Sequence, residues 1–404
     1  MLTSHILEGF AGRYTRHQII RLHFGKDEEL NVGKYLKEFG ATKVLLHYGG
    51  HSAEKSGLLD KVRKAMKDEN IPFVELGGVR ANPSIELVRK GVKLAIDENV
   101  DFVLAVGGGS VMDSSKAISH GAANPGVDEW DIQTKKVPFT KSLKKGCILT
   151  LAAAGSEMSD SCVISNDEVH AKKGINCPQN RMCFAIEDPC LTFSVPKYQT
   201  ACGAVDISMH TIERYFNVGD HTDLPDAIAE AVIRENNKAG KICCDDPNNY
   251  EARATMMWAS SLAHNDLTGL GRGKFLQLHQ FEHVMSAVYP SITHGAGLAA
   301  LWPSWARYNM KYNKKRWAKY AENVWGVKCD PADPDEGINK AIDMQENYYR
   351  SIGMPVTLRE LSDEIKESDI EKFADMVSEN GNRVLPGPKP LDRDDILAIF
   401  KMAY

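Results

Sequence analysis

The sequence predicts an α/β domain with a parallel sheet followed by an all-α domain, and three observations carry that prediction. Short apolar runs alternate with amphipathic stretches up to about residue 190; strand signals stop after "DPCLTFSVP"; from there to Tyr404 almost everything carries helical periodicity. With 404 residues the chain exceeds what one hydrophobic core usually serves, so two domains are expected, 1–192 and 193–404.

In chain order, strands are expected at "KVLLHY" (43–48), "PFVEL" (72–76), "DFVLAV" (101–106), "CILTL" (147–151) and "CFAIED" (183–188). Between them apolar residues recur at helical spacing near 54–69, 84–97 and 110–122, which makes βαβ units and hence a parallel sheet. "FVLAV" is apolar at every position, as a strand covered on both faces must be. In the second half, helices are expected at 197–216, 223–243, 249–268, 274–288, 294–309, 313–324 and 335–351, with a kink or break at Pro303. A cleft between the two domains is the expected ligand site.

The formal net charge of −5 and the lack of any Lys/Arg-rich run argue against nucleic acid or a polybasic membrane partner, which leaves a small ligand. Nine cysteines at irregular spacings, with Cys243 and Cys244 adjacent and no CxxC pair, read as reduced thiols. No signal-like start and no run of apolar residues long enough for a span is visible. A soluble, cytoplasmic protein is expected.

"DFVLAVGGGSVMDSSKAIS" runs a buried strand through Gly107, Gly108 and Gly109 into a helix. Such a turn lets backbone approach a ligand and aims the helix N-terminus at it, so a pyrophosphate is the favoured occupant. A capping box of Ser110 and Asp113 explains the turn without a ligand, although three glycines exceed what a cap requires. Met112 occupies the third glycine's place in the GxGxxG fingerprint, so that motif is absent. "YGGHSAEKSG" repeats the strand-then-glycine pattern at Gly49 and Gly50; Ser52 and Lys55 there suit a 2′-phosphate, or a plain solvated helix start.

Asp206 and His210 in "GAVDISMHTIERYF" are four apart and stack on one side of a helix, beside the apolar stripe of Val205, Met209, Ile212 and Phe216. "LQLHQFEHVMSAVYPSITHG" repeats the spacing with His279 and His283, and His294 follows a turn that folds back towards them. A lone core histidine is more often simply hydrogen-bonded, but a carboxylate and several imidazoles without thiolate suit Zn²⁺ or Fe²⁺. Spacing alone leaves open whether His279 or His283 is the ligand.

Four segments in order, "GGGSVMDSSKAIS", "TLAAAGSEMSDSCVISN", "DPCLTFSVPKYQTACGAVDISMHTIERYF" and "HQFEHVMSAVYPSITHGAGLAALWPSW", resemble the iron-containing (group III) alcohol dehydrogenases, in their butanol dehydrogenase-like branch. The resemblance runs from "LHFGK" to the C-terminal helices. It implies the dehydroquinate synthase-like architecture, an N-terminal dinucleotide-binding domain and a metal-binding helical domain, and an NAD(P)-linked dehydrogenase of small primary alcohols and aldehydes. By motif, the implied metal ligands are Asp206, His210, His279 and His294, and His283 is the implied catalytic histidine beside the nicotinamide. The implied cofactor contacts are Gly49, Gly50, Ser52, Gly108, Gly109, Ser110, Asp113, Thr150, Ser156 and Lys172. Between His283 and His294 the chain is one residue longer than the family pattern, around Pro290 and Ser291, and Ala154 replaces a frequent threonine. Ser52 and Lys55 favour NADP over NAD, against the opposing charge of Glu54. A homodimer formed through the first strand region is also implied.

Within the same superfamily the alternatives are a dehydroquinate synthase-like lyase and a glycerol dehydrogenase-like enzyme; outside it, a non-catalytic nucleotide-binding protein. The lyase would want a more basic site, whereas Trp258, Phe281 and Trp302 favour small neutral alcohols, and no ligand position is lost.

Overall fold

The computed structural model of the chain describes residues 20–217, 219 and 222–404. The chain divides into two compact units between Ser194 and Val195. The first runs β1 (Arg21–Phe24), α1 (Val32–Glu38), β2 (Val44–Tyr48), α2 (Ser52–Lys55), α3 (Leu58–Asp68), β3 (Phe73–Leu76), α4 (Ile85–Asp97) and β4 (Phe102–Gly107). It continues with α5 (Gly109–Ala123), α6 (Glu129–Gln133), β5 (Lys144–Leu149), β6 (Ser161–Asn166), β7 (Ala171–Asn176) and β8 (Phe184–Glu187).

Among the described residues, six strands form one sheet in the order β1-β8-β5-β4-β2-β3, with every neighbouring pair parallel. Alternate residues of β2 and β4 serve opposite faces. Leu46, Leu104 and Val106 pack with Val32, Leu59 and Val62, while Leu45 and Val103 pack with Ile85, Val88 and Ile118. Both faces are therefore apolar, which is why these strands carry no polar alternation; each such buried side chain contributes about 1.5–3 kcal/mol. The strand order reverses between β2, which leads out to β3, and β4, which leads the other way to β5. Open α/β sheets bind ligands beyond the carboxyl ends of their strands at such a reversal. Both glycine turns sit there.

Several features departed from expectation. The short edge strand β1 and the antiparallel hairpin β6–β7 were not anticipated, because "RLHF" is too short for a period and "AKKGIN" is polar. The helix expected over 54–69 is split into α2 and α3 by Gly57, whose φ of 75° ends one helix and caps the next.

The second unit is built from α7 (Lys197–Phe216), α8 (Asp223–Asp245), α9 (Tyr250–His264), α10 (Gln277–Val288) and α11 (His294–Asn309). It ends with α12 (Lys314–Trp325), α13 (Asp335–Ser351), α14 (Leu358–Leu361), α15 (Asp369–Val377) and α16 (Arg393–Ala403). α7 is buried from Thr200 to Phe216, packed by α8, α9 and α11, so its polar residues face other helices rather than water. Of the kink or break expected at Pro303, the break does not occur. α11 continues through it, and the packing of the buried Trp302 and Trp305 on either side offsets the missing N–H bond. All nine cysteines are unbridged, and no helix of the described residues is long and apolar enough to cross a membrane.

Candidate active site

On α7, Asp206 and His210 lie one turn apart and both are buried. Asp206 Oδ1 lies 3.2 Å from His210 Nδ1, 3.5 Å from His279 Nε2 and 3.8 Å from His294 Nε2. Three imidazoles from α7, α10 and the first residue of α11 thus surround one carboxylate oxygen. Between Val288 and His294 the chain makes a turn: Tyr289 N–H donates to Met285 O at 2.8 Å, and Ile292 N–H to Tyr289 O at 3.0 Å. The Tyr289 and Ser291 hydroxyls anchor that turn on Asp369 and Glu364. Gly295 then lets α11 start directly on α7, since a Cβ there would stand 2.2 Å from the backbone oxygen of Cys202. Cys202 is one turn before Asp206. The approach that aims His294 at the carboxylate depends on the missing side chain.

Burial alone would raise the Asp206 carboxyl, but His210, His294 and His279 outweigh it and hold the group well below the ordinary carboxylate range. Burial pushes the His210 ring well below its ordinary value. It also opposes a charged His279, yet Glu213 and Asp206 together lift that ring to about 9. Asp206 is thus held as the carboxylate, the form in which it can ligate a cation.

Asp206, His279 and His294 each offer a donor atom within 4.8 Å of the others. Asp206 Oδ1 and His279 Nε2 are buried and make no hydrogen bond. Leaving such atoms unsatisfied costs about 1–3 kcal/mol each, so two facing orphans mark a position for an ion. A carboxylate with imidazoles and no thiolate suits Zn²⁺ or Fe²⁺, and these residues fit such a group. His210 stands apart from that trio: its Nδ1 donates to the Asp206 backbone carbonyl at 3.0 Å, and its ring sits between His264 and His279, with centroids 4.4 and 4.3 Å away. His283 is half-buried, its ring 5.6 Å from His294 and 6.3 Å from His279, one step outside the Asp206 cluster.

Four neighbours went unnoticed in the sequence. Glu213 accepts from His279 Nδ1 and Glu282 from His294 Nδ1, while Arg214 bonds His264 and the carbonyl of His210. A signal existed for two of them. Glu213 is seven residues past Asp206 and Glu282 three past His279, so each shares a helical face with a donor. The aromatic residues behave differently from expectation: Phe281 packs on Phe400 and Trp302 on Tyr349 within helix contacts, and Trp258 is 40% exposed. They say nothing about the substrate.

In the first unit, Gly49, Gly50 and Ser52 follow β2, Gly108, Gly109 and Ser110 follow β4, and Thr150 follows β5. β2, β4 and β5 are adjacent, so all three turns share one sheet end. The capping box does not form. The N-cap of α5 is Gly108, which has no side chain to cap with, so Ser110 and Asp113 already lie inside the helix; Asp113 accepts from Ser156 Oγ at 2.6 Å and from Val163 N–H at 2.9 Å. Ser156 also receives Lys116 Nζ at 2.7 Å, so Asp113 and Ser156 brace the turn from behind. The helix start is left open. A Cβ on Gly109 would stand 3.0 Å from Ala154, whereas Gly50 has open space around it. Lys172 lies apart from these turns in sequence, on β7 of the hairpin. Glu54 is paired twice with Arg63 at 3.0 Å, which offsets its charge beside Ser52 and Lys55.

The family profile described as iron-containing alcohol dehydrogenase matches residues 20–189, and that of the Fe-containing alcohol dehydrogenase C-terminal domain matches 200–404. NADH-dependent butanol dehydrogenase A of Clostridium acetobutylicum is 40% identical over 95% of this chain and 97% of its own length. The NADPH-dependent aldehyde reductase YqhD of Escherichia coli is 34% identical over 85% of this chain and 88% of its own. The crystal structure of NADH-dependent butanol dehydrogenase A from Thermotoga maritima superposes with a TM-score of 0.91 at 34% identity, covering 96% of this chain and 97% of that one. The chain belongs to the iron-containing alcohol dehydrogenase family, a class of oxidoreductases.

Gly295→Ala is expected to destabilise the protein by about 1–3 kcal/mol and to lower its bound metal, because the added Cβ meets backbone. Gly50→Ala, made in open space, is expected to leave metal content unchanged. Thermal melts and elemental analysis of both variants check this; a Gly295→Ala protein with parental melting and metal would contradict it.

Proposed function

We propose that this chain interconverts small primary alcohols and aldehydes with NAD(P), at a divalent cation, Fe²⁺ or Zn²⁺, held by Asp206, His210, His279 and His294. The observation that carries this reading is the Asp206 oxygen faced by His279 Nε2 and His294 Nε2 within 3.8 Å, with the His210 ring packed against that of His279. The names of the relatives support the substrate class, butanol and its aldehyde among them, and nicotinamide dinucleotides as cofactors. They include both NADH- and NADPH-dependent enzymes, so either dinucleotide is to be assayed.

When bound, the cation supplies Lewis-acid polarisation of the substrate oxygen, and the nicotinamide supplies hydride exchange. The chain's own part is positional. The open start of α5 and the Gly49–Gly50 turn would receive the pyrophosphate, with N–H groups and the helix dipole directed at it. His294, 25% exposed at its side chain, is the most open member of the mutually facing trio, so substrate would enter on its side. His283, half-buried beside it, would pass the alcohol proton between substrate and water. Unbridged cysteines support a cytoplasmic setting, and the edge strand β1 is where a homodimer contact would form.

A dehydroquinate synthase-like reading finds less support. An anionic substrate wants available cations, whereas the guanidinium beside the donors, Arg214, bonds the His210 and Ala263 carbonyls at 2.8 and 3.0 Å.

Two experiments test the proposal. Chelation of the purified protein is expected to remove butanal reduction with NADH and NADPH alike, with recovery on adding Fe²⁺ or Zn²⁺; full activity in metal-free protein would defeat the proposal. His283→Ala at unchanged metal content is expected to lower kcat by about 10²–10⁴-fold, the usual worth of a general acid–base group. A parental rate throughout the pH range would remove its role.

A further inference from the structure

We infer that Glu213 and Glu282 are positioning residues for the metal centre: each grips the Nδ1 side of one imidazole, His279 or His294, and so turns its Nε2 towards Asp206. This rests on the metal reading proposed above and adds two residues to it. A carboxylate only accepts, so each contact places a proton on Nδ1 and leaves Nε2 of a neutral ring as a lone-pair donor.

The two carboxylates are built into the fold rather than resting near it. Glu213 is 2% exposed and Glu282 fully buried, and a buried carboxylate is costly unless hydrogen-bonded. The N-cap of α10, Leu276, offers no side-chain cap; Glu213 Oε2 reaches across from α7 to accept the orphan N–H of Leu278 at 2.5 Å, while Oε1 takes the His279 ring. One side chain thereby fixes both the start of α10 and the orientation of the imidazole two residues in. Glu282, on the same helix, reaches the first residue of α11. Gly297 makes the room, since a Cβ there would lie 2.9 Å from Glu282 Cγ. α7, α10 and α11 are therefore linked through carboxylate–imidazole pairs whose outer nitrogens converge on one oxygen.

The test uses Co²⁺ as probe with the full-length protein, its dissociation constant measured by competition with a chelating dye and its ligand-field absorption recorded. Glu213→Gln and Glu282→Gln keep size and remove charge; each is expected to weaken Co²⁺ binding by about 10–100-fold and to shift the absorption bands, with the far-ultraviolet circular dichroism unchanged. Glu→Asp at the same positions, which keeps the charge but shortens the reach, is expected to bind between parent and amide variant. It also supplies the reading should an amide variant not fold. Gly297→Ala approaches the Glu282 contact from the other side and is expected to weaken binding in the same direction. Folded amide variants with parental affinity and parental bands would overturn the inference while leaving the metal centre intact. A parent protein that takes up no Co²⁺ would overturn both.

Discussion

A carboxylate on a helix with almost no access to water is the constraint from which the second unit follows. Asp206 stays ionised although burial works against it, and only positive or proton-donating neighbours allow that. Three histidines provide them, from elements far apart in sequence. Bringing those elements together demands two close approaches. Gly295 allows backbone contact between α11 and α7, and Gly297 accommodates the buried Glu282. The helix starts at residues 277 and 294 are therefore part of the site, not merely its scaffold.

The first unit meets a different constraint, and it is at its strand ends that we propose the dinucleotide's pyrophosphate is received. Its sheet is covered on both faces, so the strand ends are the natural places for polar backbone to emerge. The reversal of strand order between β2 and β4 puts two glycine turns side by side. A glycine at the N-cap, Gly108, keeps the start of α5 free of a side-chain cap, while Asp113, one turn further in, bonds Ser156 and Val163.

How much of this was legible in the sequence depends on the range of the interaction. α7, α11 and α13 have the bounds that periodicity assigns them, because long buried helices announce themselves through apolar spacing. The hairpin β6–β7 was invisible because β7 is polar and β6 sets only Cys162 and Ile164 into the core, too few to mark a strand. At Pro303 the helix runs on between the buried Trp302 and Trp305 rather than ending, in keeping with its expected bounds of 294–309. At the site, the i, i+4 pairs could be read directly, whereas convergence on Asp206 required a turn between Tyr289 and Ile292 whose geometry no local pattern encodes. Glu213 and Glu282 stood on the right faces but looked like ordinary helical charges. Of the aromatic residues offered for substrate preference, Phe281 and Trp302 turned out to be packing residues and Trp258 is exposed, a reminder that composition does not locate a side chain.

X-ray absorption at the metal edge of the Zn²⁺-loaded protein tests the central claim most directly. The account predicts a shell of nitrogen and oxygen alone at about 2.0–2.2 Å, with the outer-sphere scattering of imidazole rings. A sulfur scatterer in that shell, or the absence of imidazole scattering, would contradict it, because nothing built around Asp206 could then be holding the ion.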